Sequence, residues 1–141
     1  MATILAPENY MKDADGFGWP AFGGAAAVRY GTVAYTDTTA KTLFTLPRGS
    51  VLLDAVVIVK TAFNGTSPVL DIGLGASANA IADDLTANAA TTLRLGAGTS
   101  WGLAKFYDAP LAADTAVTAT FSASGSPSAG LAVVVIWYAL I

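Results

Sequence analysis

Carboxylates are the side chains best placed to do chemistry. Asp54, Asp71, Asp83, Asp84, Asp108 and Asp114 could pair for general acid–base work or hold a calcium ion. Their spacing matches neither use: there is no EF-hand loop and no close alternation of acidic ligands. Most lie beside turn signals, where Asp bonds to nearby backbone. Asp54 sits instead within an apolar stretch, so it needs a partner if buried, and Lys60, Arg48 and Arg94 are the candidates. The chain has no His and no Cys. That removes the commonest general base, the thiolate nucleophile and the usual transition-metal ligands. No catalytic residue, cofactor or metal ligand is expected, and the chain is read as not an enzyme.

Three short patterns invite functional readings. Gly73-Leu74-Gly75-Ala76-Ser77-Ala78 imitates a dinucleotide fingerprint, but it lacks the flanking βαβ pattern such a site needs and reads as a strand-ending turn. Asn64-Gly65-Thr66 matches a glycosylation sequon, although Asn-Gly already has an explanation as turn chemistry. Trp101, Tyr107, Trp137 and Tyr138 could stack on a sugar, as in a head- or tail-fibre domain that binds a host glycan. Aromatics in strands more often serve a core or an interface.

The composition says what must surround these residues. Of 141 residues, 54 % are apolar and 12 % charged, against roughly 25 % charged in an ordinary soluble domain. A solitary molecule would struggle to cover that much apolar surface. The longest apolar run, Leu131–Ile141, is too short for a spanning helix of about 20 residues, so no membrane partner is expected. The N-terminus lacks a basic region followed by an apolar stretch, so no secretory signal is expected either. Net charge is −3 with no basic run, so no nucleic-acid partner is expected. Self-association accounts best for the apolar excess.

The elements read as an all-β chain: a single-domain antiparallel β-sandwich or jelly roll over 28–141, preceded by an extended N-terminal arm over 1–27. The arm carries Phe17, Trp19 and Phe22 among flexible residues. These three, with Trp137 and Tyr138, are the expected interface anchors. Strands are predicted at Val28–Thr36, Lys41–Leu46, Val51–Phe63, Val69–Leu74, Thr91–Leu95, Trp101–Tyr107, Ala116–Ser122 and Leu131–Ile141. Val51–Phe63 and Val69–Leu74 are read as a hairpin closed by Asn64-Gly65 in a type I′ turn. Pro68 is placed at the start of its second strand, with Ser67 extended before it. Gly75–Ala90 is Ala-rich and fits a short helix or a loop. In Val51–Val59 both alternating sets are largely apolar, which calls for cover on both faces.

Leu46-Pro47-Arg48-Gly49-Ser50, the strand Val51–Val59 and Thr61-Ala62-Phe63-Asn64-Gly65-Thr66-Ser67-Pro68-Val69-Leu70-Asp71-Ile72-Gly73 together resemble a pattern of small structural proteins of tailed bacteriophages, capsid decoration (cement) proteins above all. The resemblance covers about a fifth of the chain. It implies a β-sandwich or jelly-roll homotrimer in the virion, assembled in the bacterial host cytoplasm and seated on the outer surface of the shell. The partner it implies is the major capsid protein, and the implied role is to stabilise the shell, often through an extended arm.

Overall fold

The computed structural model describes residues 26–96 and 100–141. They form eight strands: β1 (Ala26–Ala34), β2 (Lys41–Leu46), β3 (Ser50–Thr61), β4 (Thr66–Leu74), β5 (Ser77–Thr86), β6 (Thr92–Arg94), β7 (Thr115–Ser124) and β8 (Leu131–Leu140). Two four-stranded antiparallel sheets result, in the orders β1-β8-β3-β6 and β2-β7-β4-β5. They stack as a β-sandwich, the class expected from the sequence. The pairings nest: β1 with β8, β2 with β7, β3 with β6, and β4 with β5. Between the sheets lie Leu46, Leu52, Val57, Phe63, Leu70, Ile72, Val117, Phe121, Val134 and Ile136, each almost fully buried. Alternation in β7 puts Val117, Ala119 and Phe121 inside, as its sequence predicts.

The predicted hairpin does not form. β3 pairs with β8 and β6, β4 pairs with β7 and β5, and the two strands belong to opposite sheets. Asn64-Gly65 turns a corner between sheets. Gly65 has a φ of 95°, and Ser67, expected to be extended, has a φ of 53°. The β4–β7 ladder skips from Thr66 to Val69, so Pro68 occupies a bulge, where its missing donor costs no ladder bond. Asn64 fastens the corner: its Oδ1 accepts from the Ser128 and Ala129 amides at 2.8 and 3.1 Å, and its Nδ2 donates to Ser128 Oγ at 3.1 Å. Phe63 stacks on Phe121 with ring centroids 4.8 Å apart.

The other half of the resemblance motif is a second corner. Gly49 takes a φ of 90°. The buried Ser50 donates from Oγ to the Pro47 carbonyl at 2.6 Å, and the Arg48 amide donates to Asp114 Oδ1 at 2.8 Å.

Three further expectations are corrected. The Ala-rich stretch is neither helix nor loop: it holds β5, joined to β4 by a two-residue turn at Gly75-Ala76. Small residues concealed a strand because Ala carries little β signal. Trp101–Tyr107 is not a strand. It makes single bridges at Trp101 and Phe106 around a 3-10 turn, Leu103–Lys105. The count of eight is right only because β5 replaces this segment. Finally, a bulge between Leu52 and Asp54 exchanges the faces of β3. Leu52 points inward before it and Ala55, Val57 and Val59 after it, so no single alternating set is the inner face.

One edge of the sandwich is closed by charged side chains. Lys41 Nζ donates to the Thr32 carbonyl of β1 at 2.9 Å and pairs with Asp37 at 3.5 Å. Asp37 Oδ2 accepts from the Ala34 amide at 2.8 Å.

Candidate functional site

The two outer faces of the sandwich are unlike. Register fixes which residues share each face, because directly paired residues point the same way. On the β1-β8-β3-β6 sheet, Tyr30, Val135, Val56 and Arg94 form one row across all four strands. Thr32, Val133, Ile58 and Thr92 form the next. Val28, Trp137 and Asp54 form a third, and Ala26, Ala139 and Val51 a fourth. Neighbouring tips cover part of one another, yet Val28 is 50 %, Tyr30 71 % and Trp137 37 % exposed. This is a largely apolar sheet face that also carries Asp54, Arg94 and, two residues beyond Ile58, the exposed Lys60.

The opposite outer face is polar. Its rows are Thr42, Thr118 and Gly73; Thr120 and Asp71; and Ser122, Val69 and Thr86. The Thr118 hydroxyl lies over Gly73, buried and without a hydrogen-bond partner. Beside this face β5 bulges at Asp83-Asp84, where Asp84 takes a φ of 55°. Asp71 accepts from the Asp84 amide at 2.8 Å. The carboxylates of Asp71, Asp83 and Asp84 gather there with oxygens within 4.8 Å of one another. Burial pushes the Asp71 carboxyl above its ordinary range, and the charges of Asp84 and Asp83 push the same way, against the Asp84 amide. Oxygen donors at this separation suit a hard cation such as calcium, although exposed acids gather without one as well. A hairpin turn at Gly75-Ala76 alone would set Asp71 opposite Ala80; the two irregularities in the β4–β5 ladder are what bring Asp83 and Asp84 across from it.

Asp54 is exposed rather than buried, and it accepts from the adjacent Ala55 amide at 2.8 Å. None of Lys60, Arg48 and Arg94 pairs with it among the described residues. The stacking platform does not assemble. Trp101 is 6 % and Tyr138 4 % exposed, both in the core, while Tyr107 is exposed and Trp137 lies on the outer apolar face. Trp101 and Arg94 border a shallow groove of about 360 Å³ between the β5 and β6 edges. Of the five expected interface anchors, Trp137 stands on the exposed face, and Tyr138 is a core residue by strand alternation. Phe17, Trp19 and Phe22 lie outside the described residues. No helix among the described residues is long and apolar enough to cross a membrane.

No protein-family model matches the chain, and no curated protein matches it. Solved structures do. A chain of the cyanophage Pam1 capsid asymmetric unit aligns over 100 % of both chains at 23 % identity, with a TM-score of 0.61. A chain of the capsid of Ralstonia phage GP4 aligns over 88 % of this chain and 90 % of its own at 15 % identity, with a TM-score of 0.60. A chain of the acid-stable capsid of Helicobacter pylori bacteriophage KHP30 aligns over 82 % and 88 % at 15 % identity, with a TM-score of 0.53. The chain thus shares its β-sandwich fold with chains found in three phage capsid structures.

Proposed function

We propose that this chain is a structural protein of a phage head, a decoration protein that binds the outer capsid surface as a homotrimer and stabilises the shell. The observation that carries the reading is the pairing of one apolar and one polar outer face on a sandwich shared with capsid chains. Burying apolar area at about 25 cal/mol per Å² would hold subunits to one another and to the shell. The nested strand pairings fit a jelly-roll winding. The residues that precede β1 act as an arm in this reading, with Phe17, Trp19 and Phe22 docking on a neighbour. The absence of His and Cys favours a non-catalytic role. Burial of Trp101 and Tyr138 weighs against a glycan-binding fibre domain.

The test is to mix the purified chain with capsids that lack it and to image them by cryo-electron microscopy. Ordered density on the outer shell and a raised capsid disruption temperature are expected. Bare capsids at saturating protein would overturn the reading. Removing residues 1–24 is expected to leave a folded sandwich with reduced capsid occupancy, and unchanged occupancy would remove the arm from the proposal.

A further inference from the structure

We propose that Asn64-Gly65 is a covalent modification site, at which Asn64 deamidates to aspartate and isoaspartate when the corner between the sheets opens, and which the closed corner protects. The step is intramolecular. The Gly65 amide nitrogen loses its proton to solvent base and attacks Asn64 Cγ. A carbon–nitrogen bond forms, a five-membered succinimide closes, and the side-chain nitrogen leaves as ammonia. Water then opens the ring at either carbonyl, leaving a carboxylate in place of the amide. Glycine favours this attack because no Cβ shields its amide. Of the asparagines Asn9, Asn64, Asn79 and Asn88, only Asn64 precedes a glycine.

The corner treats the two reacting groups differently. Gly65 N makes no hydrogen bond among the described residues, and Asn64 is exposed to water. The nucleophile is therefore free, and the restraint lies on the amide it must reach. Asn64 Oδ1 accepts from the Ser128 and Ala129 amides, and Nδ2 donates to Ser128 Oγ. The Asn64 main-chain amide donates to the Ala129 carbonyl at 3.2 Å. These bonds aim the side chain across the corner, whereas ring closure needs it folded back over its own peptide. Gly65 also lies hard against the facing loop, since a Cβ on it would stand 2.9 Å from the Ser124 carbonyl oxygen and 3.2 Å from Pro127 Cγ. Reaction thus waits on local opening, and its rate follows the open population. The two products differ in effect. Aspartate keeps the acceptor for Ser128 and Ala129. Isoaspartate lengthens the main chain by an atom next to Phe63, which is stacked on Phe121.

The experiment incubates the full chain in mildly alkaline buffer, folded and unfolded by urea, beside the folded Ser128→Ala variant. Trypsin then releases residues 61–94 as one peptide, because Lys60 and Arg94 bound it. Chromatography and mass spectrometry of that peptide read Asn64 against Asn79 and Asn88 as internal controls. In the unfolded chain Asn64 is expected to convert to both products while Asn79 and Asn88 persist. In the folded chain conversion is expected to be slower by about tenfold or more, the factor for breaking three hydrogen bonds. Ser128→Ala removes the acceptor of Nδ2, and its folded-state rate is expected to rise about two- to tenfold. Equal rates in the folded and unfolded parent would overturn the protection, and this comparison needs no variant. An unreactive Asn64 in the unfolded chain would overturn the site. A parental rate in Ser128→Ala, with its fold confirmed by circular dichroism, would overturn the hydrogen-bonded restraint.

Discussion

Trp137 and Tyr138 are consecutive in β8 and belong to opposite sides of its sheet. Trp137 pairs with Val28 and Asp54 on the outer face, and Tyr138 pairs with Ala27 and Leu52 on the inner one. Truncating each to Ala separates folding from association. Tyr138→Ala is expected to cost about 3–5 kcal/mol of stability, as for large buried aromatics. Trp137→Ala is expected to cost the folded monomer about 1 kcal/mol or less while weakening the trimer. Urea denaturation and light scattering on both variants provide the check; equal losses of stability would contradict the inside–outside assignment.

Asn64 joins two loops far apart in sequence through three hydrogen bonds. Asn64→Ala is expected to destabilise the chain by about 1.5–4.5 kcal/mol, given about 0.5–1.5 kcal/mol per bond. Asn64→Asp keeps the acceptor that serves Ser128 and Ala129 and loses only the donor to Ser128 Oγ, so its cost is expected to be smaller. The order of the two midpoints in urea decides whether this side chain works as a staple or merely as turn chemistry.

Gly130 has a φ of 148° and packs directly under the Phe63 ring. A methyl group there would meet the ring while its own backbone is strained. Gly130→Ala is expected to cost about 2–4 kcal/mol from overpacking plus an unfavourable φ. Gly125 has a φ of 87° with open space around it, so Gly125→Ala carries backbone strain alone and is expected to cost about 1–2 kcal/mol. Thermal melts of the pair separate the two contributions.

Asp71 provides a pH test. Burial, with the neighbouring Asp84 and Asp83, raises its folded carboxyl above the ordinary 3.8. The folded state therefore holds this proton more tightly than the unfolded state. Stability from this group is greatest below the ordinary value and is lost as pH rises through the raised one. Asp71→Asn keeps an acceptor for the Asp84 amide and abolishes the titration. The variant is expected to melt above the parent at neutral pH, and that advantage is expected to disappear near about pH 3, where both carboxyl forms are protonated. A constant difference across the range would show that the group does not titrate as described.

Residues that alternate cleanly were legible in the sequence. Val117, Ala119 and Phe121 against Thr118 and Thr120 give a strand and its inner face together, because burial and period agree. The apolar outer face was foreshadowed by β3 and β8, where both alternating sets are apolar. Partners were not legible. Asn64-Gly65 supplies a positive φ in a corner as readily as in a hairpin, and nothing local to β3 says that β8, about eighty residues on, is its neighbour. Bulges were invisible for the same reason, since one extra residue at Leu53 or Asp84 is defined only against the opposing strand. That is why the Asp71, Asp83 and Asp84 cluster could not be assembled from spacing alone.

The contact of Lys41 with Thr32, flanked by Asp37 on Ala34, bears on how far assembly can run. An uncovered border strand invites the next molecule to extend its hydrogen-bonded ribbon, and that process has no natural end. Here a cation takes the Thr32 carbonyl and a carboxylate the Ala34 amide, two of the groups that a newcomer would need at the end of this strand. Crowded solutions of the chain are accordingly expected to hold countable particles, with no thioflavin-positive fibres, until Lys41 is replaced by an uncharged residue.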